Sequence, residues 1–277
     1  MPSVSTEVPD ESTRDAVRRL ADRIEAEDGA PPLSDEALTQ LRSPDVDHVT
    51  ARDGGKLVVG YAQRHDGSAE IAAEPAAVEP LLDAVTQPGL LVWSHGRHSR
   101  LGRILAARGF EQVRKLHQLR RSLTALPDEP PLPPGVQVRA FRPGTDEDAW
   151  LAVNAAAFRT HPEQGHVRRA DLEARMAEPW FDAAGFLLAE SGGELLGFHW
   201  TKVHPDGLGE VYVLGIGPAA QGLGLGKGLL ARGLRHLADR GCPAVLLYVE
   251  DDNAGARQLY AHAGFDEYDR DVQWRAP

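Results

Sequence analysis

Gln221-Gly222-Leu223-Gly224-Leu225-Gly226 follows an apolar run, Val211 to Ile216, and precedes a helix-period segment that begins near Lys227. A glycine-rich turn between a strand and a helix suits a phosphate. Glycine lets the main chain approach an anion, the first-turn N–H groups have no intrahelical partner, and the helix dipole favours negative charge there. The spacing excludes two familiar phosphate loops. A nucleoside-triphosphate loop needs four residues between its glycines and then Gly-Lys-Ser/Thr, whereas Gly222 and Gly226 enclose three and Lys227 is followed by Gly228. A dinucleotide fingerprint laid on Gly226-Lys227-Gly228-Leu229-Leu230-Ala231 would fall inside the helix, past the tight turn it has to form.

Working outward, Gly241 and Pro243 end that helix, and Ala244-Val245-Leu246-Leu247-Tyr248-Val249 reads as a buried strand. Asn253 then caps a helix carrying Ala254, Ala256, Leu259 and Tyr260, which Gly264 stops. Upstream, Phe186 to Glu190, the Ser191-Gly192-Gly193 turn and Leu195 to Thr201 form a hairpin that leads into Glu210 and the strand after it. Strands and helices alternate, so the class is α/β.

The 277 residues leave room for two domains. Net charge is −11, which argues against nucleic acid or an anionic membrane as partner. Cys242 is the only cysteine, so no disulfide framework exists, and its place between Gly241 and Pro243 reads as packing. The polar, acidic start from Met1 to Glu11 lacks the features of a secretory leader, and no apolar run approaches the ~18 residues of a membrane span. The expectation is a cytoplasmic, monomeric enzyme. The histidines, including His199 and His204, are scattered rather than set at zinc spacing, so no metal is expected.

The chain repeats itself faintly. Trp93 to Arg120 aligns without a gap on Tyr248 to Arg275 at a shift of 155, placing Ala107-Arg108-Gly109-Phe110 over His262-Ala263-Gly264-Phe265. Between the copies, the proline-rich stretch from Leu126 to Gly135 suits neither helix nor ladder and reads as a stiff linker. The expected domains are therefore 1–125, 126–135 as linker and 136–277. In the first copy, residues 13–27 form an amphipathic helix with Val17, Leu20 and Ile24 on one face. Leu57 to Ala62 follows the Asp53-Gly54-Gly55 turn as a hairpin strand. Glu70-Ile71-Ala72-Ala73 then stands where the second copy has Glu210-Val211-Tyr212-Val213, but no glycine follows before Pro88, and Glu74 and Glu79 would repel a pyrophosphate. Leu105 replaces Tyr260 and His98 replaces Asn253. This half is expected to frame substrate or support structure rather than catalyse.

The segment Gln221-x-x-Gly224-x-Gly226, followed by Asn253, Ala256, Tyr260, Gly264 and Phe265, resembles the two linked signatures of the GNAT N-acetyltransferases. The resemblance implies two tandem GNAT domains, each a mixed, largely antiparallel twisted sheet flanked by helices, with splayed central strands in the C-terminal one. It also implies acetyl-CoA as cosubstrate, with the pantetheine arm hydrogen-bonded to strand backbone at Leu214, Gly215 and Ile216. The pyrophosphate would lie on Gln221, Gly222, Leu223, Gly224, Leu225, Gly226 and Lys227, and Asn253, Ala254, Gly255, Ala256, Arg257 and Gln258 would complete the site. The Leu214 N–H would polarise the thioester carbonyl. Direct transfer to an amine needs a base and an acid. Glu210, opening the central strand, can draw the amine proton through water, and Tyr260, a phenol of ordinary pKa ~10, can protonate the leaving thiolate. Each could instead be structural, Glu210 as a solvent-facing strand end and Tyr260 as a half-buried core residue.

Four further segments are similar to the mycothiol synthase family, tandem GNAT enzymes of actinobacteria. They are His161-Pro162-Glu163-Gln164-Gly165, Gly197 to Pro205, Leu208 to Gly215 and Leu246 to Glu250. That resemblance implies acetylation of the cysteinyl amine of cysteinyl-glucosaminyl-inositol. By position it assigns Glu163, Lys202, Glu210 and Tyr248 to the substrate, with Asp35 or its neighbour Glu36 reaching it from the first half. Carboxylates suit a polyhydroxylated amine because they accept from hydroxyl and ammonium alike. Two other readings stay open at this point: a GNAT enzyme for a different small amine, and a non-catalytic acyl-CoA-binding module. The loss of the loop in the first half implies one functional acetyl-CoA site per chain.

Overall fold

A computed structural model describes residues 2–54, 57–159 and 164–277, in two compact units. The first takes in the chain up to His117 with Glu250–Asp252 and Asp269–Pro277; the second comprises Gln118–Val249 and Asn253–Tyr268. Chain order and unit membership therefore part company at the C-terminus, and the proline-rich stretch 126–135 lies inside the second unit rather than between the two.

In chain order the first unit begins with β1 (Ser3–Ser5), α1 (Glu11–Asp28), α2 (Asp35–Gln40), β2 (Asp47–Arg52), β3 (Val58–His65) and β4 (Ser68–Ala73). It continues with α3 (Pro75–Val85), β5 (Leu91–Ser94) and α4 (Arg100–Ala107), after which β6 (Glu111–Ser122) runs on into the second. That unit adds β7 (Gln137–Ala140), α5 (Glu147–Ala157), α6 (Arg169–Met176), β8 (Phe186–Ser191), β9 (Glu194–Val203) and β10 (Gly209–Ile216). Then come α7 (Leu225–Asp239), β11 (Ala244–Glu250), α8 (Ala254–His262) and β12 (Asp266–Arg275).

In the first unit the strands run β1-β2-β3-β4-β5-β12, antiparallel except for the parallel pair β4–β5. The amphipathic pattern read at residues 13–27 is α1, with Val17 and Leu20 fully buried. The Asp10 carboxylate accepts from Thr13 N at its start, and Gly29 in the left-handed region closes it. The α1 and α2 side chains pack against Tyr61 and Ala72 on one side of the sheet, while α3 and Leu105 of α4 pack against Ala62, Ile71 and Val92 on the other. No glycine turn precedes α3. Glu74 stands at its cap, ion-paired to Arg23 at 3.1 Å, and Pro75 removes an N–H from the first turn. The start of α3 thus lacks the glycines and one of the first-turn N–H groups that an anion cradle uses.

The second unit orders its strands β11-β10-β9-β8-β7, again antiparallel except for one parallel pair, β10–β11. One side carries an aromatic core under α5 and α6. Trp150 meets Phe186, Phe198 and Trp200 edge-on, and Phe186 stacks on Phe141 and Trp200 with centroids 4.4 and 4.3 Å apart. The opposite side is aliphatic: Leu230, Leu234 and Leu237 of α7 cover Val211, Val245 and Leu247, with Tyr260 and Phe265 completing the cluster. Cys242 packs in that cluster, and burial raises its thiol pKa despite nearby Arg240, as expected of an inert structural cysteine.

Candidate active site

The central feature of the second unit is a parting of strands. The parallel register of β10 and β11 holds at Gly209↔Val245 and Glu210↔Leu246 and stops there, although the strands continue to Ile216 and Glu250. On its other edge β10 stays paired with β9 as far as Ile216↔Gly197. A bulge between Val211 and Val213 turns the strand, as bulges do, and re-aims the residues beyond it. Past Glu210, then, β10 keeps one bonded edge and leaves the N–H and C=O groups of its other edge without β11. Leu214, Gly215 and Ile216 lie in this stretch, where the resemblance to GNAT enzymes implies pantetheine contacts. Gly215 is glycine for packing: a Cβ there would stand 2.7 Å from the Phe198 ring and 3.0 Å from Phe158.

The glycine turn comes directly after. Gly222 and Gly224 have φ of 79° and 81°, a region that favours glycine, and a Cβ on either would meet nothing within 4 Å, so the requirement is conformational. Gly224 caps α7, which starts at Leu225, two residues before the sequence pattern suggested. Gln221 Nε2 donates to the Ile216 carbonyl at 3.3 Å, tying the turn to the end of β10. Leu223, Gly224 and Lys227 are exposed around this helix start. On the facing helix, Asn253 Oδ1 accepts from Ala256 N at 3.1 Å and so acts as the cap of α8. Ala254, Gly255, Arg257 and Gln258 are exposed in its first turns. Lys227, Arg121 and His262 border a cavity of about 270 Å³ whose remaining wall is largely apolar, from Leu126, Leu230, Leu234 and Leu259.

Glu210 and Tyr260 sit on opposite sides of the sheet. Val211 joins the aliphatic cluster under α7, and strand alternation turns its neighbour Glu210 to the α5–α6 side. There Glu210 is buried, with Oε2 2.7 Å from His204 Nε2 and 3.9 Å from Lys202 Nζ. Lys202 stands directly across the ladder from Glu210, and its ammonium lies 5.1 Å from the Trp180 ring centroid and 5.7 Å from that of Tyr212. Tyr260 belongs to the α7–α8 side, edge-on to Phe265, and its hydroxyl makes no hydrogen bond among the described residues. Burial raises its phenol above the ordinary value, so the group stays protonated at physiological pH.

The remaining residues assigned from sequence are more dispersed. Tyr248, on β11, is 45 % exposed, and its hydroxyl accepts from Gln118 Nε2 at 2.7 Å. Asp35 and Glu36 are exposed in the first turn of α2, in the first unit, where carboxylates also favour the helix dipole. Glu163 lies outside the described residues. His204, Trp180 and Tyr212 were not singled out from sequence as site residues. The clue was the hairpin His204-Pro205-Asp206-Gly207-Leu208-Gly209-Glu210, whose length brings its first residue back beside its last. Among the described residues no group of three His, Cys, Asp or Glu could hold a metal ion, and no helix is long and apolar enough to cross a membrane.

Comparison with known proteins identifies the family. The profile of the Acetyltransferase (GNAT) family matches residues 150–265. The chain is 47 % identical to the mycothiol acetyltransferase of Streptomyces avermitilis, over 94 % of this chain and 91 % of that protein. It is 46 % identical to that of Thermomonospora curvata, over 94 % and 93 %. Among solved structures, a GCN5-related N-acetyltransferase from Sphaerobacter thermophilus superposes with a TM-score of 0.76 at 21 % identity, covering 99 % of this chain and 95 % of the other. A tandem GNAT protein from the clavulanic acid biosynthesis pathway gives 0.66 at 19 % identity, covering 99 % and 98 %. The fold is thus the tandem GNAT fold, and by its full-length likeness to these relatives the chain belongs to the mycothiol acetyltransferase family of acetyltransferases.

Proposed function

We propose that this protein transfers the acetyl group of acetyl-CoA to the cysteinyl amine of cysteinyl-glucosaminyl-inositol, giving mycothiol and CoA, in the cytoplasm and as a monomer. The observation that carries this reading is the parting of β10 from β11 just after Glu210, with a buried carboxylate on one side of the sheet and a buried, protonated phenol on the other. A thioester threaded through such a gap would meet a base and an acid from opposite directions. The residues present suit acetyl-CoA. The unladdered edge of Leu214, Gly215 and Ile216 can bond the pantetheine amides. Gln221 to Lys227 present a helix start to the pyrophosphate, and Asn253 to Gln258 border it. Two cations, Lys227 and Arg121, line the cavity beside the helix start together with one carboxylate, Asp128.

The chemistry proceeds in order. Glu210 takes a proton from the substrate ammonium, directly or through water, and the freed nitrogen lone pair attacks the acetyl carbon. The Leu214 N–H stabilises the charge on the carbonyl oxygen. As the C–S bond breaks, Tyr260 gives its proton to the sulfur, and the second proton lost by the nitrogen restores the phenol. One amide, one thiol and one proton to solvent result. Lys202, Glu210, Tyr248 and Glu163 bind the sugar-cysteine. The catalytic role belongs to residues 136–277, with 1–125 a degenerate GNAT domain. Mixing the protein with acetyl-CoA and cysteinyl-glucosaminyl-inositol, and following CoA release with mass detection of the product, tests this. Absence of the acetylated thiol would overturn it.

A further inference from the structure

The carboxylate of Glu210 is not held symmetrically. Both of its neighbours, His204 Nε2 at 2.7 Å and Lys202 Nζ at 3.9 Å, approach the same oxygen, Oε2, and Oε1 has no partner among the described residues. His204 is itself fixed by the β9–β10 turn. Its N–H donates to the Leu208 carbonyl, its carbonyl accepts from Gly207 N, Gly207 takes φ of 85°, and Leu208 N donates to Asp206 Oδ1. The imidazole is thus delivered to Glu210 by backbone it cannot easily leave. An ionised carboxylate only accepts, so at 2.7 Å the hydrogen must reside on Nε2.

We propose that His204 is a positioning residue, which clamps Oε2 of Glu210 through its Nε2–H and so leaves Oε1 as the atom that takes the amine proton. This rests on the reading of Glu210 as the base. A carboxylate on a strand has rotatable χ angles, and a base must be held within hydrogen-bond reach of its proton to act. Fixing one oxygen orients the other. Lys202, locked over two aromatic rings, adds charge to the same oxygen without a short hydrogen bond, so orientation falls to His204.

The test compares His204→Ala and His204→Gln in the full-length protein. Gln carries a side-chain N–H donor that can reach the same oxygen. The alanine variant should lose roughly 10- to 100-fold in kcat with KM for acetyl-CoA changed less than about twofold, and the glutamine variant should recover most of that loss. Wild-type kcat in His204→Ala would overturn the proposal, as would equal loss in both variants accompanied by equal loss of thermal stability. A second measurement does not depend on the acceptor: long-range 1H–15N correlations of wild-type protein labelled in histidine, with the His204 signal assigned by its absence in His204→Gln. Hydrogen on Nε2 supports the clamp, and hydrogen on Nδ1 alone refutes it. If wild-type protein fails to acetylate cysteinyl-glucosaminyl-inositol, or Glu210→Gln is fully active, the functional reading fails, and the tautomer still judges the clamp.

Discussion

His199 should give the second unit an acid-sensitive stability of calculable size. Its ring is fully buried, Nδ1 lies 3.0 Å from the Leu229 carbonyl, and Nε2 has no hydrogen-bond partner among the described residues. A second N–H, which protonation would add, has nowhere to donate. Burial, and to a lesser degree nearby His236, therefore lower its pKa from 6.5 to about 4 against the opposing bond to Leu229. An unfolded chain takes up this proton near pH 6.5, whereas the folded one resists it until about pH 4. The native state thus holds its full advantage above pH 6.5 and loses it as pH falls towards 4. At ~1.4 kcal/mol per pKa unit the loss is about 3 kcal/mol. His199→Asn offers a donor to the Leu229 carbonyl but cannot ionise. Urea unfolding of both proteins by tryptophan fluorescence, at closely spaced pH from 7.5 to 4, should show wild type losing about 3 kcal/mol more than the variant. Carboxylate titration is common to both and cancels. A gap between them that stays constant within about 0.5 kcal/mol over that range would refute the reasoning.

Four further outcomes are expected. His95, in the first unit, has the opposite slope: burial would lower its pKa, but Asp271 and Glu70, each 3.3 Å away, raise it to about 9, so stability present below pH 6.5 drains as pH rises through 9. His95→Gln should abolish an alkaline loss of roughly 3 kcal/mol, seen in urea midpoints between pH 6 and 9.5. Gly233→Ala would set a Cβ 2.0 Å from the His199 ring, and overpacking of this kind costs about 1–3 kcal/mol; an unchanged Tm would show that the ring moves aside freely. Tyr260→Phe should lower kcat by roughly 10²-fold or more with little change in acetyl-CoA affinity, and a normal rate removes it as the acid. Calorimetric titration with acetyl-CoA should saturate at one site per chain, consistent with Glu74 and Pro75 at the start of α3; two tight sites would contradict this.

How much of this was legible in the sequence depends on the range of each signal. The elements from β8 to α8 were readable because local chemistry marks their ends. Gly192 and Gly193 make a hairpin, Gly222 and Gly224 need positive φ, and Asn253 caps α8. Where α7 begins was misjudged by two residues because Leu225 and Gly226 carry no capping side chain. Long-range pairing was beyond reach. Nothing near Val272 says that it lies opposite Ser94, so the sequence boundary at 126–135 passes over a C-terminal segment that belongs with the first unit. Nor does composition show that Leu132 packs 2.8 Å from where a Gly228 Cβ would stand, with Glu129 ion-paired to Arg232, making the proline-rich stretch part of the α7 surface. In the candidate site, the glutamate and tyrosine were picked out from motif and resemblance. Their surroundings, such as His204 beside Glu210 and the rings under Lys202, depend on a turn and a ladder that only coordinates resolve.

Membership of Asp269–Pro277 in the first unit bears on how the chain is born. Domains ordinarily fold as they emerge, N-terminal first. Here the pairing of Leu91–Ser94 with Val272–Arg275 must wait until the ribosome has translated the whole second unit. Until then one margin of β5 is bare main chain, open to adventitious strand addition. The later-encoded unit can reach its native state from a stretch of nascent chain broken only at Glu250–Asp252 while the earlier one is still incomplete, a reversal of the usual vectorial order.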